Sequence, residues 1–275
     1  MRPRIAKLAR ETAAALAALC IGCAAAAEAA PRIVSLDQCA DQYVLALAPR
    51  DQIVGLSKRA RNADSYLRTD AAGLPERRAT LESILGSRAT IAVTYWAGDA
   101  RLPAALARRG VSVIQIGEAT DFAGVRADVR KVAAGLGRRA AGESLIAAMD
   151  AKLARSRGAW EGARALYLTP GGFTAGRATL VGAMLAGAGL ISAGGSASYA
   201  PVTLEDLVLN PPAALVLGFF RDLANGGQRG TIAGNGYLRA LAERRTIASL
   251  PGAILGCPAW FAADGSAALA AAKPR

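Results

Sequence analysis

The sequence predicts an α/β protein with parallel-type sheets, arranged as two halves joined by a helical segment. Three observations carry this reading. Short apolar, β-branched runs alternate with stretches of helical periodicity. A purely helical stretch, Asp121 to Arg157, interrupts that alternation in mid-chain. On each side of it, a Thr-Leu-Glu helix start precedes an apolar strand that ends in two aromatic residues. The 275 residues are 53% apolar and 20% charged, enough to bury a core and unlike a disordered chain.

Residues 1–29 read as an export signal. Arg2, Arg4, Lys7 and Arg10 precede an uncharged run from Thr12 to Ala27, and Ala27-Glu28-Ala29 has the small-x-small form of a cleavage site. The run is shorter than the roughly 20 apolar residues of a membrane span. Ile21-Gly22-Cys23 resembles the end of a lipobox, but Cys20 stands where Leu is usual. Release into the periplasm is therefore expected over lipid anchoring at Cys23.

The first half, 30–127, begins with a strand at Arg32–Leu36 and a helix at Gln38–Ala48. A strand at Ile53–Ser57, a helical turn from Glu82 to Leu85 and a strand at Thr90–Trp96 follow. An amphipathic helix, Leu102–Arg109, leads to a strand at Val111–Ile116. The segment 128–160 is helical and broken at Gly135-Leu136-Gly137; its second piece, Ala141–Arg157, puts Leu145, Ile146, Met149 and Leu153 on one face. The second half, 161–275, has expected strands at Arg164–Leu168, Ala214–Phe220 and Ala253–Leu255. Its expected helices are Leu180–Ala188, Leu204–Leu209 and Tyr237–Ala242. The repeated starts, Thr80-Leu81-Glu82 and Thr203-Leu204-Glu205, each read as a Thr cap with a first-turn Glu favoured by the helix dipole. The strands after them end in Tyr95-Trp96 and Phe219-Phe220.

Histidine is absent, which removes imidazole general acid–base chemistry, Ser-His-Asp triads and every His-containing metal site. No protein-bound metal and no cofactor are expected. The formal charge is +12, or +10 without the leader, but the arginines are scattered and no nucleic-acid motif is present. Nucleic acid is not an expected partner. Cys39 and Cys257 remain after the leader is removed, an even pair in an oxidising compartment.

Taken in order, several of these residues resemble the periplasmic substrate-binding proteins of ABC importers for iron-siderophore complexes, haem and cobalamin. RIVSLDQCADQYVLAL, IVGLS and TLESIL carry the likeness in the first half. The Gly171–Gly176 loop with Thr179-Leu180, then VTLEDLVLNPP, and the late Trp260-Phe261 carry it in the second. Asn210-Pro211-Pro212-Ala213 departs from the pattern, which usually has an acidic residue after Pro, and so does the lack of His. The resemblance implies two Rossmann-like lobes bridged by one long α-helix, with Ala141–Arg157 as that helix and the ligand in a cleft between lobes. It implies a monomer working with a permease dimer and its ATPase, and a small-molecule cargo, a metal chelate or tetrapyrrole. It gives Glu82 and Glu205 the role of permease-docking carboxylates, one per lobe, suited to arginine pockets.

Ligands of α/β sheets bind beyond the carboxyl ends of parallel strands. That rule selects Tyr95, Trp96, Phe219, Phe220, Trp260 and Phe261 as surfaces for a planar or macrocyclic ligand, with core packing the alternative for each. Arg59, Arg61 and Arg221 are candidates for carboxylate or catecholate oxygens. Tyr43 and Tyr199 are phenols able to ligate haem iron, although nothing in their context selects them. Cys39 and Cys257 fall in predicted cleft loops, one per lobe. Thiolate coordination of a chelate is one reading and buried unpaired thiols the preferred one, because a permanent bond would clamp the lobes. A chaperone for haem or a metal chelate, not coupled to transport, is the competing reading. A Rossmann-like enzyme is a weaker one, since the Gly171–Gly176 loop lacks a phosphate-binding spacing.

Overall fold

The computed structural model describes residues 30–96, 99–219 and 236–274. The leader with Cys20 and Cys23, and the candidates Phe220 and Arg221, lie outside the described residues.

The first lobe runs β1 (Ile33–Ser35), α1 (Gln38–Leu47), β2 (Ile53–Ser57), β3 (Glu76–Arg77), α2 (Leu81–Gly86), β4 (Ile91–Thr94), α3 (Leu102–Arg108), β5 (Ser112–Gln115). Its strands form one sheet in the order β3-β2-β1-β4-β5, and every pairing is parallel. Both faces are covered, which is why the strands are apolar at successive positions rather than alternating. Ile33, Val93 and Ile114 pack towards Tyr43, Val44 and Leu47 of α1. Val34 and Ala92 pack towards Ile84 of α2 and Leu102 and Leu106 of α3. Two helices follow. In α4 (Phe122–Gly135), the Asp121 carboxylate caps the start by accepting from Gly124 N at 2.7 Å. Gly137, at a φ of 69°, turns the chain into α5 (Arg139–Ser156).

The second lobe runs β6 (Arg164–Leu168), β7 (Phe173–Ala175), α6 (Leu180–Gly187), β8 (Ile191–Ser192), β9 (Tyr199–Pro201), α7 (Leu204–Leu209), β10 (Leu215–Gly218). It continues through α8 (Gly236–Arg245), β11 (Thr246–Leu250), α9 (Gly252–Leu255) and α10 (Ala262–Ala271). The main sheet is parallel, in the order β11-β10-β6-β8, while β7 and β9 make a separate antiparallel ribbon. Leu207 of α7 and Leu238 and Leu241 of α8 cover one face. Val181, Met184 and Leu185 of α6, with Leu269 of α10, belong to the large core that reaches into the first lobe.

The 18 residues of α5, about 27 Å of helix, join the lobes. This helix packs on α4 at one side and on α10 at the other. Its contact with α4 is close because Gly142 has no side chain: a Cβ there would lie 2.5 Å from the Ala133 methyl. Arg126 Nε donates to Asp150 at 3.0 Å, and Arg130 Nε to Glu143 at 2.8 Å, along the same seam.

One expected element is corrected. Ala253–Leu255, read as a strand, lies in the short helix α9, and the strand is Thr246–Leu250. Pro251 immediately precedes that helix, and Leu250 is the last residue paired with β10. A short apolar run has no periodicity of its own, so the neighbouring strand decides.

Candidate functional site

In the first sheet the winding direction reverses between β1 and β4, which makes the crevice beyond their carboxyl ends the topological switch point. Three carboxylates organise this edge. Asp37, the N-cap of α1, accepts from Ala40 N at 2.9 Å through Oδ1. Its Oδ2 accepts from Thr94 Oγ1 at 3.0 Å, Tyr95 N at 2.7 Å and Trp96 N at 2.9 Å. One side chain thus starts a helix and fixes the end of β4. Asp41, fully buried one turn later, accepts from Ser57 N at 2.8 Å, from Ser57 Oγ at 2.6 Å and from Ser35 Oγ, tying the ends of β1 and β2. Burial pushes its carboxyl up to about 6 against the opposing pull of those hydrogen bonds. Asp128 of α4 accepts from Gly117 N at 2.8 Å and holds the end of β5.

Beyond these ends lies a cavity of about 560 Å³, within the usual size of a small-molecule site. Leu36 to Cys39, Ser57 to Arg59, Asp64, Arg77 to Ala79, Tyr95 and Trp96 line it from the first lobe, and Gly256 from the second. A second depression of about 230 Å³ adjoins it, sharing Tyr95 and Gly256. Its other walls are Glu118 to Thr120, the start of α6, Ser198, Tyr199 and Cys257-Pro258. Both lobes therefore contribute to one cleft.

The expected site residues divide sharply. Tyr95 and Trp96 are in the cleft; the Trp96 ring is 74% exposed although its backbone is pinned, and so is free to meet a ligand. Burial, with Glu118 and Asp37 nearby, raises the Tyr95 phenol above its usual value. Arg59 lines the cavity and lies 3.5 Å from Asp64. Arg61 is paired with Glu76 at 2.6 Å and is not part of the lining. Phe219 is half-buried at the end of β10 with a φ of 63°. Trp260 and Phe261 are buried: Trp260 packs edge-on against Tyr43 and Phe261, and Phe261 stacks on Tyr66. These two aromatics hold the lobes together and are not cleft walls. Tyr43 is likewise removed as an iron ligand, because it is fully buried and its hydroxyl donates to Pro258 O at 2.7 Å. Tyr199 lines the second depression.

Cys39 and Cys257 require a correction. They form a disulfide, with Cα atoms 5.3 Å apart, so neither is an unpaired thiol or a thiolate ligand. The expectation assumed an open gap between two cleft loops. Instead the first turn of α1 meets the 256–258 loop at the cleft floor, where Tyr43 and Trp260 also pack.

Asp37, Asp41, Asp128, Lys58, Arg77 and Arg78 did not emerge from the sequence. Asp37 carried a readable signal, an Asp between a strand and a helix. Arg77 and Arg78 did not, since β3 is a two-residue edge strand with no pattern to detect.

The repeated helix starts are formed as expected. Thr80 Oγ1 accepts from Ser83 N at 3.3 Å, and Thr203 Oγ1 from Asp206 N at 3.0 Å, with Asp206 Oδ2 returning the bond to Thr203 N at 3.2 Å. Glu82 and Glu205 are exposed and have no ion-pair or hydrogen-bond partner among the described residues.

Two parallel-sheeted lobes, a bridging helix and a cleft at the strand ends make an architecture suited to holding a small ligand between the lobes. No family model and no curated protein matches the sequence. Solved structures do. The periplasmic heme-binding protein RhuT from Roseiflexus sp. RS-1, in apo form, is 26% identical with a TM-score of 0.69, over 88% of this chain and 97% of that one. The periplasmic heme-binding protein HutB of Vibrio cholerae is 17% identical with a TM-score of 0.71, over 88% and 98%. The periplasmic vitamin B12 binding protein BtuF of Vibrio cholerae is 17% identical with a TM-score of 0.59, over 88% and 95%. The chain therefore has the two-lobed, helix-bridged fold of these periplasmic binding proteins.

Proposed function

We propose that this protein is the periplasmic receptor of an ABC import system, which captures a metal chelate or tetrapyrrole and delivers it to a membrane permease. The observation that carries the reading is the cleft itself: a cavity at the switch point of a parallel sheet, walled by the pinned Tyr95-Trp96 pair and by basic side chains, and closed by the second lobe at Gly256. The similar structures named above are those of heme-binding and vitamin B12-binding proteins. Glu82 and Glu205 are the proposed docking groups, because each is exposed and unpaired at an equivalent helix start of its own lobe. A permease dimer with an arginine pocket in each subunit, driven by its ATPase, is the partner they would fit.

The test uses protein purified from the periplasm and ligand-dependent quenching of tryptophan fluorescence. A panel of cobalamin, haem and a ferric siderophore should include at least one micromolar ligand; no binding by any of the three refutes the reading. Replacing Glu82 and Glu205 together with Ala should abolish uptake in cells while leaving the ligand affinity unchanged. A fall in affinity would refute the docking role.

A further inference from the structure

The charges around the larger cavity narrow the cargo further. Lys58, Arg59, Arg77 and Arg78 line it, against two carboxylates, Asp37 and Asp64. Asp37 is fully committed to the four donors that start α1 and end β4. Asp64 reaches only Arg59, at 3.5 Å, the longest ion pair among the described residues. Arg77 is held in place: its Nε donates to Val54 O at 2.9 Å, and its stem lies over Gly55, where a Cβ would come within 2.8 Å of it. That leaves its terminal nitrogens for a ligand. Lys58 and Arg78 have no side-chain partner among the described residues. Among its described residues the cavity therefore presents more positive than negative charge, together with the aromatic surface of Tyr95 and Trp96.

The described residues of the cavity offer an open metal ion few ligands. The chain has no histidine, Cys39 is locked in a disulfide, and the cavity has no methionine in its lining. Burial, with Glu118 and Asp37 nearby, raises the Tyr95 phenol above its usual value, which disfavours the phenolate form. Among the described residues of this cavity only Asp64 is left as a carboxylate able to coordinate, so they suit a metal that brings most of its coordination shell with it.

Resting on the receptor reading above, we propose that the cargo is a coordinatively saturated, polyanionic metal chelate of the ferric tris-catecholate class. Lys58, Arg77 and Arg78 grip its outer oxygens while Trp96 covers its rings. Charge-assisted hydrogen bonds from a fixed guanidinium suit such oxygens. A cationic or neutral chelate of the same size would leave the three basic groups unanswered.

The experiment compares four probes by tryptophan quenching: a hexadentate ferric tris-catecholate, ferrioxamine B (saturated but cationic), cyanocobalamin (saturated, without net charge) and haemin (open axial sites). The tris-catecholate should bind at least tenfold more tightly than the other three, and its affinity should fall steeply with added salt. The Lys58→Gln/Arg78→Gln variant, checked for an unchanged melting temperature, should lose roughly tenfold or more of that affinity. Equal or tighter binding of ferrioxamine B or cyanocobalamin overturns the proposal while leaving the receptor reading intact. So does tight haemin binding with a phenolate-to-iron absorption band that Tyr95→Phe removes. The salt titration of the unaltered protein needs no variant, and a flat response also overturns it. Silence from all four probes counts against the receptor reading itself.

Discussion

The two lobes hold their faces of the cleft by different means. In the first lobe the ends of β1, β2, β4 and β5 are tied by carboxylates from its N-terminal side: Asp41 at β1 and β2, Asp37 at β4, and Asp128 of the adjoining α4 at β5. In the second lobe no carboxylate is fully buried among the described residues, and the loop that reaches the cleft leans on its neighbour. Cys257 is bonded to Cys39, Pro258 O accepts from Tyr43, and Asp264 is shared by Tyr66 and Lys152 of the bridging helix. The contrast assigns the lobes distinct tasks. The first is preorganised and supplies nearly all the described lining of the larger cavity; the second is positioned by the clasp at the cleft floor. Preorganisation on one side limits the ordering that a ligand must impose.

The largest expected effect comes from opening the clasp. A Cys39→Ser/Cys257→Ser variant should lose about 2–5 kcal/mol of stability, since the bond spans 218 residues of sequence. The loss should be uneven. Amide hydrogen exchange should rise in 252–264 while the β1 and β4 amides keep their protection. Equal loss of protection in both lobes would contradict the division of tasks.

Next in size is the Asp37 knot. Asp37→Ala removes the cap of α1 and strands the Tyr95 and Trp96 amides, at a cost of about 2–4 kcal/mol. The Trp96 ring is already exposed, so the informative readout is its fluorescence anisotropy, measured with Trp160 and Trp260 replaced by Phe in both proteins. Anisotropy should fall when the backbone beneath the ring is released. An unchanged value would mean that Asp37 serves the helix alone.

How far the sequence reaches depends on which forces act locally. The alternation of strands and helices, the Gly-Leu-Gly break and both Thr caps were legible because periodicity, glycine and capping act within a few residues of chain. The exposed Glu82 and Glu205 were legible for the same reason. The fate of Trp260, Phe261, Tyr43 and the two cysteines was not. Each depends on a contact across some 200 residues, such as the 218 that separate the disulfide partners, and nothing local distinguishes a buried aromatic from a cleft aromatic. Arg77 and Arg78 join the site through a two-residue edge strand that only its pairing with β2 reveals. Strand ends thus locate a cleft from sequence, while the side that supplies its charge emerges only from the packing.

The smallest effect isolates the first lobe by its titration. The Asp41 carboxyl, near 3.8 in an unfolded chain, stands at about 6 in the fold because burial disfavours its charge. Between about pH 4 and pH 6 the unfolded chain has released this proton and the native protein still holds it. Native protein binds more protons there, so this group's contribution to stability is greatest below pH 4, falls as pH rises and levels above pH 6. At about 1.4 kcal/mol per unit the whole change is no more than about 3 kcal/mol. In Asp41→Asn the amide keeps an acceptor for Ser57 N and a donor for Ser57 Oγ but cannot ionise. Urea unfolding of both proteins from pH 4 to 8 should show the parent losing stability relative to the variant up to pH 6, with a constant difference beyond. A difference that stays flat or grows in the parent's favour would show that Asp41 is not the buried anchor of β1 and β2, and the first lobe would then be no better preorganised than the second.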